Sequence, residues 1–371
     1  MTWKSSTHGT TQSRPAGSAR ALVLVAALML AAACGGGTPT ETTAAPSGPA
    51  AGDSEEVAAT EASEVATETV TVGLTSLHSW YWPLLAARDE GLMEPFGIEL
   101  DVVTFQNLAQ LASGLVADSV DIALVAPETM FGVQQSEPDV RVIASMLSAN
   151  PQTLIVHPDI ASVEDLRGQI IGVSTVGASA DFFTGRLMLL RNGLELDTDY
   201  TMVNTGPTAE RAAAMSSGQI QASLNWEPAL MQLLDEGMVE IDRAANYEDL
   251  RDVEVIALNA KEGWYRDNRD VAVRFLQGFL AGMDWLYDES NRDRAIEMLA
   301  DEMSVETEHA AAAYEWFIVE LEAYPRDGRV DPRKLEQTVR NAGEAGVEFV
   351  PALDDLDWRY DNSLVEEAAS R

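Results

Sequence analysis

The chain is 371 residues long, 46% hydrophobic, and carries a formal charge of -36 from 60 acidic against 24 basic residues. That length and apolar content suit two modest cores better than one. The charge excludes nucleic acid as a partner and adhesion to anionic lipid, since both need clustered Lys and Arg.

Lys4, Arg14 and Arg20 precede an unbroken apolar run at 21–33, too short for an ordinary membrane span, which ends in Ala31, Ala32 and Ala33. Those are the marks of an export signal over residues 1–33. The only cysteine, Cys34, follows at once. A lone cysteine there resembles a bacterial lipobox, in which the thiol is lipidated and becomes the first residue of the mature protein. Leu30 stands one place upstream of that motif's usual leucine. Lipidated Cys34 would anchor the protein to the outer face of the cytoplasmic membrane and leave no thiol for a disulfide, a metal or nucleophilic catalysis. A buried free thiol behind an ordinary cleavage site is the alternative.

Residues 34–68 then read as the lipidated cysteine and an acidic tether, rich in Gly, Thr, Ala, Ser, Pro and Glu, without an aromatic residue, Lys or Arg. A flexible chain of that length spans about 30 Å on average.

From Thr69 the pattern is that of a folded body. Residues 70–74 alternate as a strand and feed a loop, 75–82, that holds Ser76, His78, Ser79, Trp80, Tyr81 and Trp82. Pro83 opens a helix through Arg88 that ends at Gly91. Residues 98–105 are the next strand, Leu108, Leu111 and Leu115 follow at helical spacing, and 120–125 is a third strand running into Pro127, Glu128 and Thr129. Alternating strands and helices indicate a parallel α/β sheet.

After strands at 141–146 and 153–157 a second α/β series begins at 163–166. Ile170, Ile171 and Val173 form a short β-branched run, 174–180 is a small-residue turn, and 182–190 carries apolar residues at helical spacing. A loop of Ser174, Thr175, Gly177 and Ser179 before a helix offers backbone N–H groups and the helix dipole to a negative or hydrogen-bond-accepting ligand. An ordinary capped helix, with Ser179 or Asp181 as N-cap, accounts for the same residues. The series continues with a strand at 200–204, a helix over 208–217 ended by Gly218, a strand at 220–226 and a helix from Pro228 to Gly237.

The two series echo each other. Ser119-Val120-Asp121-Ile122-Ala123-Leu124 leads to Pro127-Glu128, and Gln219-Ile220-Gln221-Ala222-Ser223-Leu224 leads to Trp226-Glu227-Pro228. Each delivers an acidic residue near a strand's carboxyl end, the edge where ligands sit in open α/β sheets. Residues 253–259 return the chain to the first domain, so crossings near 153–157 and 253–259 make a hinge. The remainder reads as helical, with Val271, Phe275, Phe279, Gly282 and Leu286 on one core-facing side.

In this order and spacing the residues resemble the solute-binding proteins of bacterial ABC importers, in the group that handles nitrate, sulfonates, taurine and pyrimidine precursors of thiamine. The likeness covers about residues 70–256. It rests on Ala86-Ala87-Arg88-Asp89-Glu90-Gly91 with Phe96-Gly97-Ile98-Glu99-Leu100, on Ser119-Val120-Asp121-Ile122-Ala123, on Leu166-Arg167-Gly168-Gln169-Ile170-Ile171-Gly172-Val173, and on Gly218-Gln219-Ile220-Gln221-Ala222 with Trp226-Glu227-Pro228. Asp118-Ser119 departs from the small residue and glycine usual before the third strand.

The resemblance implies a type II periplasmic-binding-protein-like α/β fold: two α/β domains, a central cleft, two hinge crossings and C-terminal helices. Domain I is expected over 69–155 and 255–371, domain II over 156–254. The cleft would be lined by Ser76, His78, Trp80 and Tyr81, by Pro127, Glu128 and Thr129, by Ser174, Thr175, Gly177 and Ser179, and by Asn225, Trp226 and Glu227. The partners it implies are a small-molecule solute, an ABC permease and its ATPase, with the protein itself a monomer.

A tightly held anion usually has Arg or Lys partners. None falls in those four segments, where His78 is the only potentially cationic side chain. The expected ligand is therefore a small neutral or weakly cationic solute with an aromatic or heteroaromatic ring. Trp80, Tyr81 and Trp226 would stack on it, and Glu128 or Glu227 would accept from its N–H groups. Other readings are Trp82 as core, Glu227 as a helix cap or transporter contact, a quaternary-amine cage, and the same role for nitrate, sulfonate or taurine.

An enzyme is not expected. The related eukaryotic branch that makes the thiamine pyrimidine resembles a design requiring a cysteine-rich iron-binding motif, and this chain has one cysteine. His8, His78, His157 and His309 include no pair at metal-binding helix spacing, and no Walker A loop, G-x-S-x-G elbow or dinucleotide fingerprint occurs. No cofactor or metal is expected. A sensory lipoprotein presenting a loaded surface to a membrane receptor is the reading from another class.

Overall fold

The computed structural model of the protein describes residues 66–206 and 208–371. The expected export signal, Cys34 and nearly all of the tether lie outside the described residues.

The described strands form two sheets of five. In the first, β1 (Glu68–Leu74), β2 (Ile98–Thr104), β3 (Ile122–Val125) and β4 (Val140–Leu147) are joined by a strand from far along the chain. In the second lie β5 (Thr153–Val156), β6 (Ile170–Val173), β7 (Thr201–Asn204), β8 (Ala222–Asn225) and β9 (Val239–Arg243). The late strand of the first sheet is β10 (Ile256–Lys261), and the orders are β2-β1-β3-β10-β4 and β7-β6-β8-β5-β9.

Sequence alternation predicts parallel sheets, and each sheet is instead mixed. β1 runs parallel to β2 and β3, and β6 parallel to β7 and β8, but β10 is antiparallel to β3 and β4, and β5 to β8 and β9. The reason is the route of the chain. A strand that follows a crossing enters its sheet at the end facing the other sheet, so it runs against strands that finish there. The crossings are accordingly residues 148–152 and 244–255, while 153–156 and 256–259 belong to β5 and β10.

Helices α1 (Trp82–Asp89), α2 (Leu108–Val116) and α3 (Pro127–Ser136) accompany the first sheet, and α4 (Ala180–Arg191), α5 (Thr208–Ser216) and α6 (Ala229–Asp235) the second. After α7 (Glu248–Arg251) and β10 come α8 (Glu262–Asp267), α9 (Arg269–Tyr287), α10 (Arg292–Met303), α11 (Thr307–Tyr314), α12 (Pro332–Glu344) and α13 (Ser363–Ser370). Neither α3 nor β9 is evident in the sequence. The apolar residues of α3 are diluted by Gly132 and three polar residues at its end, and β9 is a short edge strand with no fully buried residue.

Each sheet has its own apolar cluster. Trp82, Phe275, Phe279 and Leu286 pack with Val70 and Val72 of β1, and Trp82 meets Tyr314 edge-on at 6.1 Å. Phe182, Leu187, Met188 and Leu224 pack about the second sheet. Helices α1 and α9 lie so close that a Cβ on Gly282 would stand 2.1 Å from the Pro83 carbonyl oxygen.

The echoed segments become β3 and β8, each third in its sheet. Asp118 takes the left-handed φ of 56° that Gly218 takes at 74° in the other half. Aspartate tolerates that region better than most residues, and its carboxylate accepts from Lys261 Nζ at 2.7 Å.

Candidate ligand-binding cleft

The carboxyl ends of the parallel strands in both sheets open on one cavity of about 350 Å³. That is at the small end of the range for ligand sites, about 300 to 1,000 Å³. The loop after β1 brings Ser76, His78 and Trp80, the start of α3 brings Thr129, the loop after β6 brings Ser174, Thr175 and Ser179, and the end of β8 brings Asn225 and Trp226.

Five residues expected there stand elsewhere. Tyr81 is wholly buried in the first core, its hydroxyl accepting from Arg88 Nη1 at 3.1 Å. Pro127 is buried at the first position of α3. Glu128 turns to a separate cavity of about 40 Å³ beside Asn150, Glu254 and Asn341, and burial pushes its carboxyl up to about 7. Gly177 makes the turn itself at φ 79°. Glu227 is 2% exposed and faces Arg243 at 3.5 Å. Burial lifts it to about 7 as well, against the pull of Arg243. It is not the cap of α6, whose N-cap is Pro228.

The loop after β6 spends its N–H groups internally. Ser174 N donates to Asp181 Oδ2 at 2.7 Å, Thr175 N to Ser179 Oγ at 3.1 Å and Val176 N to Asn204 Oδ1 at 2.6 Å. Ala178 N and Ser179 N both donate to the Thr175 carbonyl. Ser179 occupies the N-cap position of α4 without capping it. The expected row of open donors is thus largely satisfied by the loop.

Sequence reasoning missed Arg211, on α5, and Asp181, on α4, both in the cavity wall and 5% and 8% exposed. They pair at 3.1 Å. Gln106, Asn107 and Gln152 were missed too. The signal lay in the outer strands: β2 and β7 also end at the cleft, so the residues after them belong on any site list. Among the described residues the lining carries one cation and one carboxylate, and no net charge. His78 adds none, because burial first and Arg211 second lower its pKa to about 3.

Polar contacts join the two halves around this cavity. Trp226 Nε1 donates to His78 Nδ1 at 2.7 Å, Ser79 Oγ to the Glu227 carbonyl at 2.7 Å, and Thr129 Oγ1 to the Ala178 carbonyl at 3.3 Å. Behind them, Arg243 of β9 stacks on Trp316 at 4.0 Å, and Trp316 Nε1 donates to the carbonyl of Pro151 in the first crossing. In the same crossing Gln152 is 1% exposed, and neither atom of its amide finds a partner among the described residues. Nor does Asn225 Oδ1.

A family model described as NMT1/THI5 like matches residues 79–292, more than half of the chain. The chain belongs to the NMT1/THI5-like family. Among relatives of this NMT1/THI5-like protein, YtlA of Bacillus subtilis (strain 168), a binding protein by name, is 24% identical over 218 residues. That stretch is 58% of this chain and 65% of YtlA, just under two thirds of the relative. Solved structures share the fold at low identity. The ligand-binding component of an ABC-type import system from Staphylococcus aureus, solved with zinc, gives a TM-score of 0.68 at 15% identity over 81% of this chain and 99% of its own. The periplasmic nitrate-binding protein NrtA of Synechocystis PCC 6803 gives 0.70 at 14% over 82% and 89%. The desulfurization enzyme DSZB gives 0.62 at 18% over 82% and 99%. This NMT1/THI5-like chain therefore has the periplasmic-binding-protein fold.

Proposed function

We propose that the protein is the solute-binding component of an ABC importer. It is held outside the cell by lipidated Cys34 and hands its solute to a permease driven by an ATPase. The bodies that close are the two sheets with their helices, 69–147 with 256–371 and 153–243, joined through the crossings 148–152 and 244–255. The solute is small, organic and neutral, with an N–H donor beside an acceptor, as on the edge of a pyrimidine or similar heteroaromatic.

The observation that carries this reading is the Gln152 amide, buried in the cavity wall with donor and acceptor both unpartnered, with Asn225 Oδ1 likewise unpartnered in the same wall. Leaving buried polar groups unpaired is costly, and a ligand edge with the complementary pattern relieves it. The cavity's lack of net charge supports a neutral guest. Trp80 and Trp226 remain available to stack on its ring, and Gln152 and Asn225 take the accepting role expected of Glu128 and Glu227.

A solute touching both halves favours the closed form by its difference in affinity for the two states. No residue set for bond making is required, and the protein is proposed to release its solute unchanged. Arg211 favours a second reading, a nitrate, sulfonate or taurine guest, through the presence of a guanidinium in the wall.

Native mass spectrometry of freshly purified protein, followed by titration calorimetry with pyrimidines, nitrate and an alkanesulfonate, separates the two. A co-purified heteroaromatic mass and calorimetric binding of pyrimidines are expected. Tight nitrate or sulfonate binding with heteroaromatics inert would establish the second reading instead.

A further inference from the structure

Three donors converge on one oxygen of Asp181. Its Oδ2 accepts from the Ser174 backbone N–H at 2.7 Å, the Ser174 hydroxyl at 2.9 Å and Arg211 Nη1 at 3.1 Å. Oδ1 accepts from the Phe182 N–H at 3.1 Å, so the carboxylate is fixed at both ends. A backbone N–H, a hydroxyl and a guanidinium around a single oxygen are a donor set suited to a bound oxyanion. Here the chain supplies that oxyanion itself, within the wall of the solute cavity.

We infer that Asp181 determines specificity in this cavity: it is a tethered carboxylate that fills an anion site and thereby keeps free anions out. The inference rests on the reading of this cavity as the solute site. A nitrate or sulfonate approaching Arg211 meets a carboxylate already seated on the same donors. Two negative charges that close in a water-poor pocket repel strongly. Removing the carboxylate leaves the Ser174 and Arg211 donors in place and opens room for one oxyanion head group. The site then changes preference from neutral to anionic solutes without gaining a basic residue.

The test is titration calorimetry of the purified protein at low ionic strength, with sodium nitrate and sodium methanesulfonate as probes. Asp181→Ala is expected to bind at least one of them about tenfold or more tighter than the wild type, the scale of one added charge-assisted hydrogen bond. Adding Arg211→Gln is expected to abolish the gain. Asp181→Asn, which fills the same space with a neutral amide, is expected to gain less than Asp181→Ala. Equal binding of the anions by wild type and Asp181→Ala overturns the inference, and so does a cooperatively melting Asp181→Ala protein that binds neither. If Asp181→Ala does not fold, Asp181→Ser makes the same comparison, and saturable nitrate binding by the wild type overturns the inference with no variant at all. Failure of the solute-site reading has its own signature: the wild type then carries no co-purified small molecule and binds no heteroaromatic, whatever the anion titrations give.

Discussion

The indole N–H of Trp226 and the Nδ1 of His78 meet across the cavity at 2.7 Å, with their rings edge-on at 5.3 Å. The bond needs a neutral imidazole as acceptor, and burial with Arg211 nearby holds the His78 pKa at about 3. Trp226→Phe keeps an aromatic edge and loses the donor. With one hydrogen bond worth about 1 kcal/mol, solute affinity is expected to fall several-fold to tenfold. Small-angle scattering of the variant is expected to show a larger radius of gyration than the wild type at equal solute. An unchanged radius and unchanged affinity would remove this contact from the closure mechanism.

Stability is expected to peak on the acidic side of neutrality. Glu227 and Glu254 are each 2% exposed, and burial pushes both, like Glu128, up to about 7. From the ordinary 4.5 up to 7 the folded state therefore holds protons that the unfolded chain has lost, so stability grows as pH falls through that window. His78 acts oppositely between 6.5 and about 3, where the unfolded chain gains a proton that the folded state refuses. Three carboxyls outweigh one imidazole until pH drops below their unfolded values, after which the His78 loss stands alone. Thermal melts at constant ionic strength should give a higher midpoint at about pH 5 than at about pH 8. Glu254→Gln should flatten that difference, and a midpoint lower at the acidic pH would contradict the assignment.

Gln152 offers a test in which stability and binding part company. Its amide is buried without partners, so a shape-matched apolar replacement removes a cost from the solute-free protein. Gln152→Met is expected to melt at the same temperature as wild type or higher, while binding the solute at least about tenfold more weakly. Loss of both properties together would make Gln152 a structural residue.

The packing of α1 on α9 makes a further prediction remote from the cavity. A Cβ at position 282 would stand 2.1 Å from the Pro83 carbonyl oxygen and 3.0 Å from the Ala87 Cβ. Gly282→Ala must push two helix backbones apart, at a cost of about 1–3 kcal/mol in chemical denaturation. An unaltered denaturation midpoint would mean that these helices separate freely.

What the sequence discloses here is the repeating half. The echo of 119–128 in 219–228 locates β3 and β8 correctly, because small helix-ending residues, an apolar strand and a proline are all local signals. The hinge lies a few residues away from where the sequence suggests it, since 153–156 and 256–259 look alike whether they cross between sheets or lie within one. The aromatic run 80–82 could not be divided by composition. Trp80 reaches the cavity while Tyr81 and Trp82 face the core, a choice made by the short helical turn at Ser79–Tyr81 that the sequence does not announce. Arg211 escaped for a related reason. Its partner Asp181 lies thirty positions earlier, after β6, so the pair comes together only once β6 and β7 stand side by side.

Residues 256–261 have a consequence for the order in which the protein is assembled. β4 is joined to the rest of the first sheet by β10, which is made only after every strand of the second sheet. A nascent chain halted anywhere short of Ile256 leaves β3 and β4 with bare flanks, the kind of edge to which foreign strands adhere. The half that emerges first is therefore the half completed last, because the second sheet already has its five strands by Arg243.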